Sequence, residues 1–310
     1  MSGAESLALG GDQRVCRLGF GAMAITGPGT WGEPRDPPAA RALLRQAVDL
    51  GVDFIDTADS YGPEVSERLI AEALRPYPPE LVIATKGGYS RPGPGRWQPD
   101  GRPDHLRRAC DGSLRRLGLE QLPLYQLHAV DRSVPFDDSV GALAELRQEG
   151  KIGHIGLSNV SVAHVERARA IAPIVSVQNR YNLADRGAAD VLELCEQHGL
   201  AFICWSPLGR GALTRASGAL GHAAQAHRAD PGQVALAWLL QHSPATIAIP
   251  GTASAEHLAA NMEAARIRLT EEEVRALGDF RWGTSETLRR LPRTTARRAA
   301  AVARRYGRRR

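Results

Sequence analysis

The 310 residues, 43% of them hydrophobic, are enough to bury the core of one large α/β domain or of two ordinary ones. No apolar run is long enough to span a bilayer, and the opening MSGAESLALGGDQRV lacks the basic start and apolar stretch of a secretory leader, so a cytoplasmic protein is expected. The net charge of +5 is uneven: residues 281–310 hold 11 arginines against Glu286, a balance of +10, which leaves the preceding 280 residues at −5.

Short apolar runs alternate with longer amphipathic stretches from end to end. The strand-like runs are residues 16–22, 52–56, 81–85, 124–128, 152–157, 174–177, 201–205 and 246–249. Between the first two, PAARALLRQAVDLG (38–51) puts Ala39, Ala42, Leu43, Ala47 and Leu50 at helical spacing. HLRRACDGSLRRLG, SVGALAELRQEG, VAHVERARAIA, AADVLELCEQHG and GQVALAWLLQH read the same way, and several close on a glycine, as helix C-termini prefer. Strands separated by helices must pair in parallel, because parallel neighbours need crossovers. Eight such units at this length predict a closed (β/α)₈ TIM barrel, with an open doubly wound sheet as the alternative. The barrel is expected over residues 1–280, with an N-terminal cap, followed by a basic C-terminal extension over 281–310, helical or disordered. Two connections, 86–102 and 206–230, are long enough to serve a site. The four cysteines (Cys16, Cys110, Cys195, Cys204) are scattered without CxxC spacing and are expected to be reduced thiols.

In a barrel, the C-terminal strand ends converge on one mouth. Read in order, these ends carry Asp56, Lys86, His128, Ser158 with Asn159, Gln178 and Trp205, and Tyr61 sits just past the second strand. Each alone has a bland reading, such as a loop cap or a satisfied core histidine; together at strand ends they point to chemistry. Lys86 is notable because the chain has two lysines, Lys86 and Lys151, against 37 arginines. A phenol is a poor acid near neutrality until a neighbouring cation favours its anion, and a carboxylate beside a buried ammonium keeps that ammonium charged. Asp56, Lys86 and Tyr61 therefore read as a tunable proton donor. A neutral imidazole at His128 would orient a carbonyl oxygen.

Two patterns mislead. GFGAMA (19–24) fits a dinucleotide-binding glycine pattern, but ITGPGTWGEP follows it and cannot open the required helix. His222 and His227 lie five apart, off the spacing that favours a shared metal, so no metal site is expected. His198 precedes a glycine, as expected at a helix C-terminus.

GVDFIDTADSYG, LVIATKGG, LYQLHAVD, EGKIGHIGLSNVS, VSVQNRYN, WSPLGRGAL and IPGTASAEHLAAN, in this order between residues 15 and 278, resemble the aldo-keto reductase superfamily. TGPGTWGEP, IDTADSYGPEVSE, KGGYSRPGPGRWQPDGRP and SVQNRYNLADR resemble its bacterial pyridoxal reductase-like branch, also called pyridoxine 4-dehydrogenase. The resemblance implies hydride transfer from NADPH to a small aldehyde or ketone, with a tetrad of Asp56, Tyr61, Lys86 and His128. It assigns Ser158, Asn159 and Gln178 to the nicotinamide amide. Trp205 stands where many members stack a Tyr on the nicotinamide ring, and Ser206, Leu208, Gly209 and Arg210 begin a loop over the pyrophosphate. At the adenosine end, Gly251 stands where many members have a Lys and His257 where they have an Arg; Thr252 and Asn261 keep phosphate-binding and adenine-holding types. NADPH is expected over NADH, which the residues also admit. Trp31 and Trp97 would be substrate walls. A rival expectation from the same superfamily is a cofactor-binding regulatory subunit with little turnover, as in potassium-channel β-subunits. No membrane or nucleic-acid partner is expected.

Overall fold

Eight parallel strands form the main sheet of the computed structural model, which describes residues 5–215 and 218–280. The predicted extension over 281–310 lies outside the described residues. The described chain starts with an antiparallel hairpin, β1 (Ser6–Leu9) and β2 (Gln13–Cys16). The barrel strands begin with β3 (Phe20–Gly21), β4 (Phe54–Asp56) and β5 (Val82–Gly87). Strand β5 leads into a second hairpin, β6 (Tyr89–Gly93) and β7 (Arg96–Pro99). The barrel then continues through β8 (Leu122–Leu127), β9 (Ile152–Ser158), β10 (Ile174–Arg180), β11 (Ala201–Trp205) and β12 (Thr246–Ala248). Parallel pairing runs from β3 to β12 in chain order, β6 and β7 standing apart. A parallel bridge between Leu18 and Ala248 brings the two ends together, with Gly19 N donating to Ala248 O (2.9 Å) and Ala248 N to Arg17 O (2.9 Å). This is the (β/α)₈ barrel that the alternation of runs predicts.

Among the described residues, eight α-helices lie between the barrel strands, α1 (Pro37–Asp49), α2 (Val65–Leu74), α3 (Pro103–Leu117), α4 (Phe136–Gln148), α5 (Val162–Arg169), α6 (Ala189–His198), α7 (Ala219–Ala226) and α8 (Pro231–His242), and two follow the last strand, α9 (Ala255–Glu263) and α10 (Glu271–Gly278). Their ends follow local chemistry. Asp36 caps α1 ahead of two prolines, Asp230 with Gln233 forms a capping box on α8, and Gly199 takes the left-handed conformation after His198.

Strand alternation sorts the side chains into two cores. Phe54, Val82, Ala84, Leu124, Ala201, Ile203 and Ile247 fill the barrel interior, joined by Leu9 and Val15 from the first hairpin. Residues of opposite parity, such as Ile55, Ile83, Tyr125, Ile155, Val177 and Phe202, pack outward into the larger core that includes helix residues such as Leu43, Leu69, Leu106 and Leu143. Full burial of one such side chain stabilises the fold by roughly 1.5–3 kcal/mol.

Three sequence readings change. The run 16–22 is two elements, because Cys16 ends the hairpin with its N–H on the Asp53 carboxylate (2.8 and 3.0 Å), and Arg17 turns its guanidinium to the carbonyls of Leu240, Ser243 and Thr246. The buried face of α1 is Ala40, Leu43, Leu44 and Ala47, while Ala39, Ala42 and Leu50 are exposed; the adjacent leucines set the face, and alanines mark either side equally well. The connection 86–102 is largely the hairpin β6–β7, and 206–230 holds α7.

Candidate active site

Inward parity that places Phe54 and Ala84 in the barrel also places Asp56 and Lys86 there, one step nearer the C-terminal end. Both are buried, and Lys86 is 0% exposed. Its three ammonium hydrogens have three acceptors: Asp56 Oδ2 at 2.7 Å, Thr57 O at 2.9 Å and Tyr61 OH at 3.2 Å. Tyr61 comes from the turn between β4 and α2, where Tyr61 N donates to Ala58 O and Tyr61 O accepts from Ser66 N. The other carboxylate oxygen, Asp56 Oδ1, accepts from Gln178 Nε2 (2.6 Å) and Gln126 Nε2 (3.3 Å).

His128 directly follows β8. Its ring meets Tyr61 edge-on at 5.7 Å between centroids, and its Nδ1 lies 3.3 Å from Ser60 Oγ. Tyr89 and Trp97 of the second hairpin meet the same imidazole edge-on, at 4.7 and 6.3 Å, and Trp97 also meets Tyr61 at 6.3 Å. The hairpin thus roofs the mouth with aromatic rings.

The electrostatics follow from burial and neighbours. Desolvation pulls the Lys86 ammonium down, but Asp56 and Tyr61 together outweigh it and hold the group above its ordinary value. Desolvation, then Lys86 and Arg91, drives His128 well below its ordinary value, so its imidazole is neutral at physiological pH. Burial raises Tyr61 above an ordinary phenol, and Lys86 opposes that rise without cancelling it. The cation acts on the phenol in the expected direction, but burial outweighs it, so Tyr61 keeps its proton with an ammonium already placed against the oxygen.

Toward β9–β11 the mouth changes character. Ser158 ends β9, and Asn159 follows it with φ 59°. Asn159 Nδ2 donates to His128 O (3.0 Å) and its Oδ1 accepts from Trp205 Nε1 (3.2 Å). Ser158 is register partner to Gln178 across the β9–β10 pair. Ser206, after β11, has φ 57° and a buried Oγ without a hydrogen-bond partner. Leu208, Gly209 and Arg210 continue into a tight turn with Gly209 and Arg210 at φ 58°, the Arg210 side chain exposed. Beyond β12, Thr252 Oγ1 accepts from Ser254 N, and Ser254 Oγ caps α9 at His257 N, leaving His257 exposed and Asn261 buried. Gly251 lies flat against Gly21: a Cβ there would stand 2.6 Å from Gly21 O.

An orphaned buried hydroxyl, amide side chains at adjacent strand ends and an indole beside them suit a polar planar ring with a carboxamide, so the residues fit a nicotinamide. The adenosine end fits less fully, since Gly251 brings no cation and its backbone contact leaves no room for a side chain. Among the described residues no group of three or more His, Cys, Asp or Glu is placed to hold a metal; His227 instead pairs with Glu273 (3.0 Å).

Gln126, Ser60, Tyr89 and Arg91 belong to this site although no sequence reading singled them out. Gln126 was legible in principle, since Leu124, Gln126 and His128 alternate inward along one strand. Tyr89 and Arg91 lie in a Gly/Pro-rich segment whose hairpin pairing has no periodic signal.

A profile of the Aldo/keto reductase family matches residues 17–281. The chain is 47% identical to an uncharacterized oxidoreductase of Schizosaccharomyces pombe over 90% of each chain. It is 44% identical to pyridoxine 4-dehydrogenase of Escherichia coli, over 86% of this chain and 95% of that one. A crystal structure of an aldo-keto reductase from Klebsiella pneumoniae in complex with NADPH superposes with a TM-score of 0.75 at 28% identity, covering 88% of this chain and 94% of the other. No helix among the described residues is long and apolar enough to cross a membrane. The barrel, the match along its length and the oxidoreductase relatives lead to one conclusion: this chain belongs to the aldo/keto reductase family of NAD(P)H-dependent oxidoreductases, with its likeness to pyridoxine 4-dehydrogenase supporting the pyridoxal reductase-like branch.

Proposed function

We propose that this protein reduces a small carbonyl compound, an aromatic aldehyde such as pyridoxal, to the alcohol, with Tyr61 as the proton donor and NADPH as the reductant. The observation that carries this reading is the saturated ammonium of Lys86, held between Asp56 Oδ2 and Tyr61 OH in a fully buried position. When bound, the cofactor supplies the hydride that reaches the carbonyl carbon. Ser158, Asn159 and Gln178 would hold its carboxamide, Trp205 would face its ring, and Ser206 through Arg210 with Thr252, His257 and Asn261 would follow its phosphates and adenine.

The protein's own part is proton transfer and orientation. Neutral His128 donates a hydrogen bond that fixes the carbonyl oxygen beside Tyr61 OH. As negative charge gathers on that oxygen, the phenolic O–H bond breaks and its proton completes the alcohol. The phenolate left behind lies 3.2 Å from an ammonium that Asp56 keeps charged. Trp97 and Tyr89 exclude water above the reacting atoms and offer flat walls to an aromatic ring. NADPH is favoured because the similar Klebsiella pneumoniae enzyme was solved with it, although Gly251 removes one cation that would read the 2′-phosphate. The test is oxidation of NADPH and of NADH at 340 nm with pyridoxal and a panel of aldehydes and ketones. Turnover of pyridoxal with NADPH is expected. Silence over the whole panel with cofactor still bound would overturn the reading in favour of a cofactor-binding regulatory subunit.

A further inference from the structure

Arg91, on the hairpin that roofs the mouth, has no carboxylate partner among the described residues. Lys86 is neutralised by Asp56, and Arg116 by Glu64 and Glu67. Arg91 donates only to main-chain carbonyls: Nε to Arg96 O (3.1 Å), Nη1 to Ser60 O (2.6 Å) and Nη2 to Thr30 O (3.1 Å). The second hydrogen on each terminal nitrogen has no acceptor among the described residues. The guanidinium lies over the Trp97 ring at 3.7 Å from its centroid and 5.4 Å from that of Trp31. Trp97 in turn touches Tyr61 and His128. A permanent charge is thus fixed one ring away from the proposed proton donor, half-buried, with spare donors and flat walls around it. A guanidinium so placed matches a planar oxyanion, which can accept two parallel hydrogen bonds from it.

We infer that Arg91 is a specificity residue, and that the substrates used best are aromatic aldehydes whose ring carries an anionic oxygen substituent. This rests on the carbonyl-reductase reading above and narrows its substrate class. The ring lies against Trp97 and Tyr89, the aldehyde reaches Tyr61 and His128, and the anionic group pairs with the free side of Arg91. The competing role is a purely structural clamp, since Arg91 also ties the β6–β7 hairpin to the loops of Thr30 and Ser60.

The two roles separate in a pair of near-isosteric substrates, 3- or 4-carboxybenzaldehyde against its methyl ester, compared in the wild type, Arg91→Met and Arg91→Lys. For a charge-assisted pair the wild type should favour the acid by about tenfold or more in kcat/KM, chiefly through KM. Arg91→Met should erase that ratio, and Arg91→Lys should keep part of it. An Arg91→Met loss equal for acid and ester, or a wild type that favours the ester, overturns the assignment. Binding of the same compounds, read by tryptophan fluorescence without turnover, separates this from the parent reading. Acid bound about tenfold tighter than ester in wild type but not in Arg91→Met, with no turnover, would sustain Arg91 and remove the reductase; turnover of both with equal binding would do the reverse.

Discussion

Lys86→Met removes an ammonium that fills three acceptors at 0% exposure and strands the Asp56 carboxylate beneath it. Breaking a buried ion pair from one side costs about 3–5 kcal/mol. Here the lower end of that range applies, because Gln126 and Gln178 continue to donate to Asp56 Oδ1. Even so, the loss is a large part of the roughly 5–15 kcal/mol that holds a typical domain together. Asp56→Asn strands the cation instead while keeping an oxygen for the two amides. The double variant has neither charge to strand, so its loss should be smaller than the sum of the single losses by about 1–3 kcal/mol. Urea unfolding at pH 7, followed by tryptophan fluorescence and fitted with its m-value, measures all four corners of the cycle. All three variants should lack turnover, since none holds the Tyr61 anion as the wild type would. Losses that add within about 0.5 kcal/mol would refute the reasoning, because they would show that the two groups do not share one electrostatic unit.

Lys86→Arg should lower kcat at least about 100-fold despite keeping the charge, because a guanidinium does not fit the space of three close acceptors; retention of most of the wild-type kcat would show that any cation suffices. Asp59, partly exposed but with a sealed and unpartnered Oδ1, is pushed up to about 8 by desolvation and then by Glu67. The native protein therefore keeps a proton that the unfolded chain releases above its ordinary carboxyl pKa. Stability falls as pH rises from there to about 8, by up to roughly 1.4 kcal/mol per pH unit. Asp59→Asn should raise the melting temperature more at pH 8 than at pH 5, and an equal shift at both would contradict that account. Gly251→Lys should lower the melting temperature without tightening NADPH, since its Cβ would meet Gly21 O at 2.6 Å; tighter NADPH binding, by fluorescence titration, at an unchanged melting temperature would count against the close packing.

The barrel was legible because its signal is repeated: every β-like run ended in a turn and every helix after it carried an apolar face. The gathering of Asp56, Lys86 and His128 at one mouth was legible for a related reason, since strand parity commits them inward once the strand ends are known. Less was visible where side chains rather than periodicity decide. Cys16 and Gly19 look like one strand with Phe20, yet the Asp53 carboxylate and the barrel seam divide them. The β6–β7 hairpin hid in a Gly/Pro-rich stretch, so Trp97 could be read as a wall while Tyr89 and Arg91 went unnoticed. The balance on Tyr61 was also beyond the sequence, because burial against a neighbouring cation is a matter of depth, which residue types do not give.

The central claim is that Tyr61 gives the proton, and a single-turnover comparison tests it most directly. Wild type and Tyr61→Phe, each preloaded with NADPH, would be mixed with one aldehyde and the decay at 340 nm followed, with the NADPH dissociation constant measured alongside. The account predicts a rate at least about 100-fold lower in the variant and cofactor binding within a few-fold of wild type. A variant that reduces the aldehyde at close to the wild-type rate would contradict it.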